Sequence, residues 1–149
     1  ISQKEAQEFI DKYFQSFKAV KPFFEDLLNH AREKGYVGTI YGRRRYFKNL
    51  NARNKGLARE DERAACNAPL QGTAADIMKL AMIRVHNELK EKSFKSKLIL
   101  QVHDEIVLDV HPEEKEKVEK LVLSGMELDQ PLKVPLVVDS AWGKNWYEC

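Results

Sequence analysis

Residues 98–110 read LILQVHDEIVLDV. Two apolar runs, Leu98 to Val102 and Ile106 to Val110, have the length and composition of strands, and only His103, Asp104 and Glu105 separate them. Nothing longer than a tight turn fits between them, so the segment is constrained to an antiparallel hairpin. Such turns favour Asn-Gly or Asp-Gly, because their central residues take positive φ. This one has no glycine and sets two carboxylates side by side. The plain reading of an Asp-Glu pair is an acidic surface turn. Here the flanking strands are nearly all apolar, which embeds the hairpin in a core sheet. Adjacent carboxylates repel unless a cation lies between them or their pKa values shift. Hard oxygen ligands of this kind suit Mg²⁺ or Mn²⁺. Mg²⁺ keeps waters and takes one or two carboxylates plus substrate phosphates, so Asp104 and Glu105 read as half of a phosphoryl-transfer metal site.

Around the hairpin the chain reads mainly as helices. Ser2 and Glu5 fit a capping box, and Ala6, Phe9, Ile10, Tyr13, Phe14 and Phe17 recur behind them at helical spacing. A second helix runs from about Pro22 to Lys34, with Phe23, Leu27, Leu28 and Ala31 on its apolar face and Gly35 as its stop. YVGTIYGRRRYF reads as two short strands around Gly42, and the Asn-rich stretch 48–58 as a loop. Helix resumes near Arg59. Pro69 should break or kink it, and a strong helix follows from about Gly72 to Lys92. In that helix Met78, Met82, Val85 and Leu89 form an apolar stripe, and Ala74, Ala75 and Ala81 allow close packing. Pro112 and the acidic pair Glu113-Glu114 open a helix that carries Val118, Leu121 and Val122 and ends near Gly125. Pro131 and Pro135 flank a loop, and Pro135 opens a final strand, Leu136 to Ala141. Helices and a few antiparallel strands in separate runs make the class α+β.

Net charge is only +2, so a nucleic-acid footprint must come from local patterning. Arg32, Lys34, Arg43, Arg44, Arg45, Lys48, Arg53, Lys55, Arg59 and Arg63 face only Glu33, Glu60, Asp61 and Glu62 over the same stretch. Scattered cations are usually a solvated surface. Three consecutive arginines at a hairpin, with Tyr41 and Tyr46 beside them, favour a phosphate-backbone contact. Strand alternation lets at most two of the three grip one backbone. Downstream, Arg63, Asn67 and Gln71 recur every four residues among alanines. They read equally as turn formers and solvated polar residues, or as a polar row that meets minor-groove acceptors through closely packed small neighbours.

Other residues read more plainly. Cys66 and Cys149 form no CxxC, which fits a reducing compartment and excludes a cysteine zinc site. His30, His86 and His111 lack ligand spacing and read as surface residues; Asp109 and Asp139 read as solvent-facing strand ends, Trp142 and Trp146 as packing anchors. No apolar run approaches the ~18 residues of a membrane span. The chain begins at Ile1 rather than Met, as a processed product or part of something longer would.

ERAACNAPLQGTAADIMKLAM followed by LILQVHDEIVLDV resembles the C-terminal part of the polymerase domain of family A DNA polymerases, the bacterial DNA polymerase I type. GYVGTIYGRRRYF and VDSAWGKNW agree, in the same order, and the resemblance covers nearly the whole chain. His-Asp-Glu between apolar strands is that family's motif C. The resemblance implies a right-hand polymerase fold, with a partial palm holding the motif C hairpin in an antiparallel sheet and adjoining fingers helices. Residues 1 to about 60 would be fingers-proximal helices and the basic hairpin, and about 61–149 palm. It implies a DNA-directed DNA polymerase, a nucleotidyltransferase of replication and repair, that adds deoxynucleotides to a primer 3′ end by two-metal phosphoryl transfer. Asp104 would be a direct ligand of two Mg²⁺ ions (Mn²⁺ as an alternative), with Glu105 supporting the site in a lesser role. His103 would lie near the primer terminus. Arg63, Asn67 and Gln71 would contact the primer–template minor groove, with Arg43, Arg44 and Arg45 as further DNA contacts. Partners would be primer–template DNA, deoxynucleoside triphosphates and the N-terminal remainder of the polymerase, in the cytoplasm at the nucleoid, with no membrane.

The family's motif A aspartate and its triphosphate-binding fingers helix have no counterpart in these residues. The expectation is that the 149 residues alone do not catalyse synthesis, and that a strand edge and apolar surface beside the hairpin stand open. Two other functions remain in view: a non-catalytic nucleic-acid-binding fragment, and a metal-dependent phosphohydrolase. The second needs further carboxylates, for which Asp76 and Asp109 are the nearest candidates in sequence.

Overall fold

Ser2 starts the first helix. Its hydroxyl accepts from the Glu5 N–H while the Glu5 carboxylate accepts from the Ser2 N–H, the reciprocal box expected from the sequence. The computed structural model describes residues 1–127 and 132–149. Helix α1 covers Gln3–Ser16, and none of its residues is buried. Its apolar face forms as the periodicity requires, but stays open, with Phe9 65% exposed. Helix α2, Val20–Lys34, ends at Gly35, which takes φ 78° and donates its N–H to the Ala31 carbonyl.

The chain divides into two compact units, Ile1–Thr73 and Ala74–Cys149. In the first, β1 (Tyr36–Gly38) pairs antiparallel with β2 (Arg44–Tyr46). The connecting turn has Gly42 at φ 82° and a Gly42 N–H bond to the Thr39 carbonyl, a conformation that a Cβ would strain. Val37 on β1 is 1% exposed and joins Ala31, Leu50, Ala65 and Ala68 in a core closed by Leu27, Leu28 and Phe47.

Helix α3 spans Lys55–Glu91, 37 residues, and corrects the sequence reading twice. It begins four residues before Arg59, because the Asn54 side chain accepts from the Gly56 and Leu57 N–H groups. The Asn-rich stretch thus ends in a helix cap. Nor does Pro69 break the helix. Proline removes one N–H from the ladder at a cost of about 3 kcal/mol. Burial of Ala65 and Ala68, both within the turn that leads into Pro69, holds the backbone helical through it. An Arg32–Glu62 ion pair at 2.6 Å and an Asn49 N–H bond to Asp61 at 2.8 Å tie the same segment down.

In the second unit Val85, Leu89, Val118 and Leu121 form the core. They come from the later part of α3 and from α4, Lys115–Met126. The expected stripe on α3 is buried at Met78, Val85 and Leu89; Ala81 is buried, whereas Ala74 is exposed. Helix α4 ends at Met126, one residue past Gly125, as expected. A Cβ on Gly125 would meet Val85 Cγ2 at 2.9 Å, so glycine lets α4 approach α3 closely. Against this core pack Leu98, Ile106 and Leu108 of the hairpin β3 (Lys97–Val102) and β4 (Glu105–Asp109), and Val110 just after it. Ile99 lies at an irregularity in the register between Leu98 and Leu100, and it and Leu100 are solvent-exposed. The described sheet has two strands, so the hairpin is half-open rather than embedded as the apolar strands suggested.

A polar knot holds the base of that hairpin. Ser96 is nearly fully buried; its hydroxyl donates to Glu114 at 2.6 Å and accepts the His111 N–H at 3.0 Å. Glu114 also accepts the N–H groups of Lys95 and Ser96. The entry to β3, the exit of β4 and the approach to α4 therefore meet on one carboxylate. His111, expected at the surface, is half-buried beside this knot. The Lys95 N–H, then the Ser96 hydroxyl, pull the Glu114 pKa from an ordinary 4.5 to about 2. A depressed folded pKa contributes stability that is present above the unfolded value and lost as pH falls through the folded one. We expect acid unfolding of this unit to draw on Glu114 between about pH 4.5 and 2. Glu114→Gln should flatten the pH dependence of the urea midpoint in that window, and an unchanged slope would remove Glu114 from the account.

The expected strand Leu136–Ala141 is absent; the described part of this segment pairs with no strand. A strand exists only with a ladder partner. Side-chain bonds to α4 hold the segment instead: Ser140 Oγ and Trp142 Nε1 both donate to Glu119 Oε1, at 2.6 and 3.0 Å. These bonds hold the Glu119 carboxyl below its usual pKa. Lys115 Nζ sits 4.5 Å from the Trp142 ring centroid, so Trp142 is the expected anchor, while Trp146 is half-exposed. Pro131 lies outside the described residues.

Candidate functional site: an acidic turn and a basic, polar surface

The turn between β3 and β4 is two residues, His103 and Asp104, closed by the Val102–Glu105 pair. Positive φ falls on His103, at 52°. This is the strain that the missing glycine foretold, and histidine tolerates the left-handed region better than most side chains. The Gln101 side-chain amide donates to the His103 carbonyl at 2.6 Å and fixes the turn backbone. Asp104 therefore stands at the tip and Glu105 opens β4, both exposed. Among the described residues no group of three or more His, Cys, Asp or Glu side chains converges as a metal cluster. The adjacent carboxylates offer hard oxygen donors that suit an ion retaining waters and substrate phosphates as its other ligands. Among the described residues neither Asp76 nor Asp109 joins Asp104 and Glu105 in such a group.

Backbone strain at His103 is separable from any role of its ring. His103→Val puts a β-branched residue at positive φ and should cost about 1–2 kcal/mol in urea unfolding. His103→Asn, which tolerates that region, should stay within about 0.5 kcal/mol. Equal stabilities would mean that the turn relaxes out of the left-handed region.

In the first unit the unbroken α3 decides the geometry of Arg63, Asn67 and Gln71. Successive members are about 40° apart around a helix, and all three span about 12 Å along it. All are exposed, while the intervening Ala65 and Ala68 are buried. The row thus forms a solvent-facing ridge about three base steps long.

The three arginines divide. Arg43 donates to the Gly72 carbonyl at 2.9 Å and pins the hairpin to α3. A Cβ on Gly72 would meet Thr39 Cγ2 at 2.7 Å, so only glycine admits the turn this close. Arg44 lies over the Tyr36 ring at 4.5 Å on one face of the hairpin, and Arg45 over Phe47 at 5.4 Å, paired with Val37. Alternation therefore separates Arg44 from Arg45, as expected.

The family model described as DNA polymerase family A matches residues 1–148. The chain belongs to DNA polymerase family A. It is 50% identical to a DNA polymerase I of Caldicellulosiruptor bescii and 49% identical to that of Bacillus subtilis, over 99% of this chain and 17% of each relative. It therefore spans about a sixth of the length of these curated relatives. Among solved structures it is similar to the POL domain of Pol1 from M. smegmatis in complex with DNA primer-template and dNTP. The TM-score is 0.88 at 43% identity, over 91% of this chain and 24% of that one. The α+β architecture is thus that of a family A polymerase domain.

Sequence reading of this family A chain missed three features near the sites. It read Arg43 only as a DNA contact and did not foresee that its guanidinium donates to the Gly72 carbonyl. It set Tyr41 and Tyr46 beside the arginines and overlooked Tyr36, which faces Tyr46 across the strands with ring centroids 5.5 Å apart. It also overlooked Glu114 as the clamp at the base of the hairpin, at the end opposite the acidic turn. The placement of Tyr36 and Tyr46 at equal distances from the turn centre was a signal that could have found their pairing.

Among the described residues no helix is long and apolar enough to cross a membrane.

Proposed function

We propose that this chain is the motif C part of a DNA-directed DNA polymerase that extends a primer along a template. The observation that carries the reading is the strained two-residue turn, which presents Asp104 and Glu105 at the tip of a core hairpin in a family A chain. In this reading residues 1 to about 60 belong to the fingers side and about 61–149 to the palm.

The residues divide the work. Asp104 binds a catalytic divalent cation directly and Glu105 supports the same site; their oxygens are the donor type Mg²⁺ and Mn²⁺ take. When bound, such ions stabilise charge that develops on phosphoryl oxygens. His103, set by its backbone strain and the Gln101 bond, lies against the primer terminus. Arg63, Asn67 and Gln71 hold the primer–template duplex from its minor groove, where amides and guanidinium meet the acceptors common to all base pairs. Arg44 and Arg45 give phosphate contacts, and Arg43 positions the hairpin that carries them. The reaction is an in-line displacement in which the primer 3′ oxygen bonds to the α-phosphorus of a deoxynucleoside triphosphate and pyrophosphate leaves. Catalysis draws on the remaining, N-terminal part of a polymerase for its other ligands and its triphosphate grip.

Primer extension is the test. The polypeptide as the cell makes it should add the template-directed nucleotide to a labelled primer and depend on Mg²⁺ or Mn²⁺. Template-dependent binding with no incorporation in any divalent metal would leave the non-catalytic nucleic-acid-binding reading in its place.

A further inference from the structure

The basic hairpin carries a surface that duplex contacts do not explain. From Tyr36 to Arg59 the chain has Arg43, Arg44, Arg45, Lys48, Arg53, Lys55 and Arg59, and no Asp or Glu. Arg43 is used within the fold, but among the described residues neither Arg44 nor Arg45 forms an ion pair. The register places Tyr36, Arg44 and Tyr46 on the hairpin face opposite buried Val37. His30 on α2 extends the set, its ring edge-on to Tyr36 at 5.6 Å. Tyr46 is 67% exposed. A cross-strand tyrosine pair that served only the hairpin would contribute about 0.2–1 kcal/mol, and would not need an uncompensated guanidinium on its ring.

We propose that the Tyr36–Arg44–Tyr46 face of the β1–β2 hairpin is a stacking platform for unpaired DNA. Aromatic rings supply a surface for base faces, guanidinium planes stack as well, and the surrounding cations attract the backbone. A duplex hides its base faces inside the stack, so it can use the charge of this face but not its rings. An acidic peptide or an anionic membrane would likewise use only the charge. The platform deepens the polymerase reading, in which the unpaired strand is template outside the duplex. It rests on the hairpin's own chemistry, however, so it is tested by binding rather than by synthesis.

The experiment is fluorescence anisotropy with the native polypeptide, using a labelled oligo(dT) and a blunt duplex of equal length. Tyr46→Ala should weaken oligo(dT) binding roughly 5- to 100-fold and leave duplex binding within about twofold, whereas Tyr46→Phe, which keeps the ring, should bind like the parent. Unchanged melting of both variants would show that the hairpin is intact; if Tyr46→Ala alone melts early, Arg44→Lys, which keeps charge and loses the plane, should still weaken oligo(dT) more than duplex. Equal losses on both DNAs would overturn the platform in favour of a plain phosphate contact. Binding to vesicles of anionic lipid with none to oligo(dT) would overturn it in favour of a membrane surface. Primer extension on the same preparations reports separately on the polymerase reading, since failed synthesis with retained Tyr46-dependent oligo(dT) binding refutes only that reading.

Discussion

Asp104→Ala should lower nucleotide incorporation by roughly 10³-fold or more, equivalent to about 4 kcal/mol of barrier, and leave primer–template affinity within about twofold. The expectation follows from where the residue stands. Asp104 is at the tip of a two-residue turn, exposed, and its loss leaves the core hairpin, the Glu114 clamp and the Gln101–His103 bond unaltered. A carboxylate so placed contributes little to stability and much to any cation held there. Glu105→Ala should cost less, about tenfold, in keeping with a supporting role. Single-turnover extension with saturating DNA separates chemistry from binding. Near-normal turnover by Asp104→Ala would end the metal assignment, and a matching drop in urea stability would reclassify the residue as structural.

The second large effect should come from the ridge on α3. Arg63→Ala combined with Gln71→Ala should weaken primer–template binding by roughly 10- to 100-fold, on the scale of about 1–3 kcal/mol for each good groove contact. The chemical rate of the DNA that remains bound should change far less. Both side chains are exposed and project from a helix held by Ala65 and Ala68 beneath them, so truncation should not unfold it. The salt dependence carries a finer distinction. If Arg63 reads base edges, the slope of log affinity against log salt barely changes; if it neutralises a phosphate, the slope falls by about one. Wild-type affinity in the double variant would return Arg63 and Gln71 to the solvated surface.

Much of the fold was legible because short-range sterics write it. The Ser2–Glu5 box, the Gly35 stop, the turn at Gly42 and the strain of a glycine-free turn at His103 each follow from a few neighbouring residues. The apolar stripe on α3 and the face of α4 follow from periodicity in the same way. Readings that treated local signals as final did less well. Pro69 is a helix breaker by propensity, yet two buried alanines hold α3 through it. Leu136 to Ala141 has strand-like composition, but a strand needs a partner that composition does not supply. The α1 stripe is amphipathic, but periodicity says only that a face is apolar and not what covers it.

The functional residues divide along the same line. The sequence by itself determined the acidic turn, its place between two strands, the four-residue spacing of Arg63, Asn67 and Gln71, and the family that these patterns resemble. All of these are contained in contiguous or periodic residues. Only the tertiary structure decided that α3 is continuous and so makes that spacing a ridge. It alone decided that Arg43 is bound to a carbonyl 29 residues away, and that Glu114 clamps the base of the hairpin bearing Asp104. Those outcomes depend on which distant backbone groups packing brings within about 3 Å of a side chain.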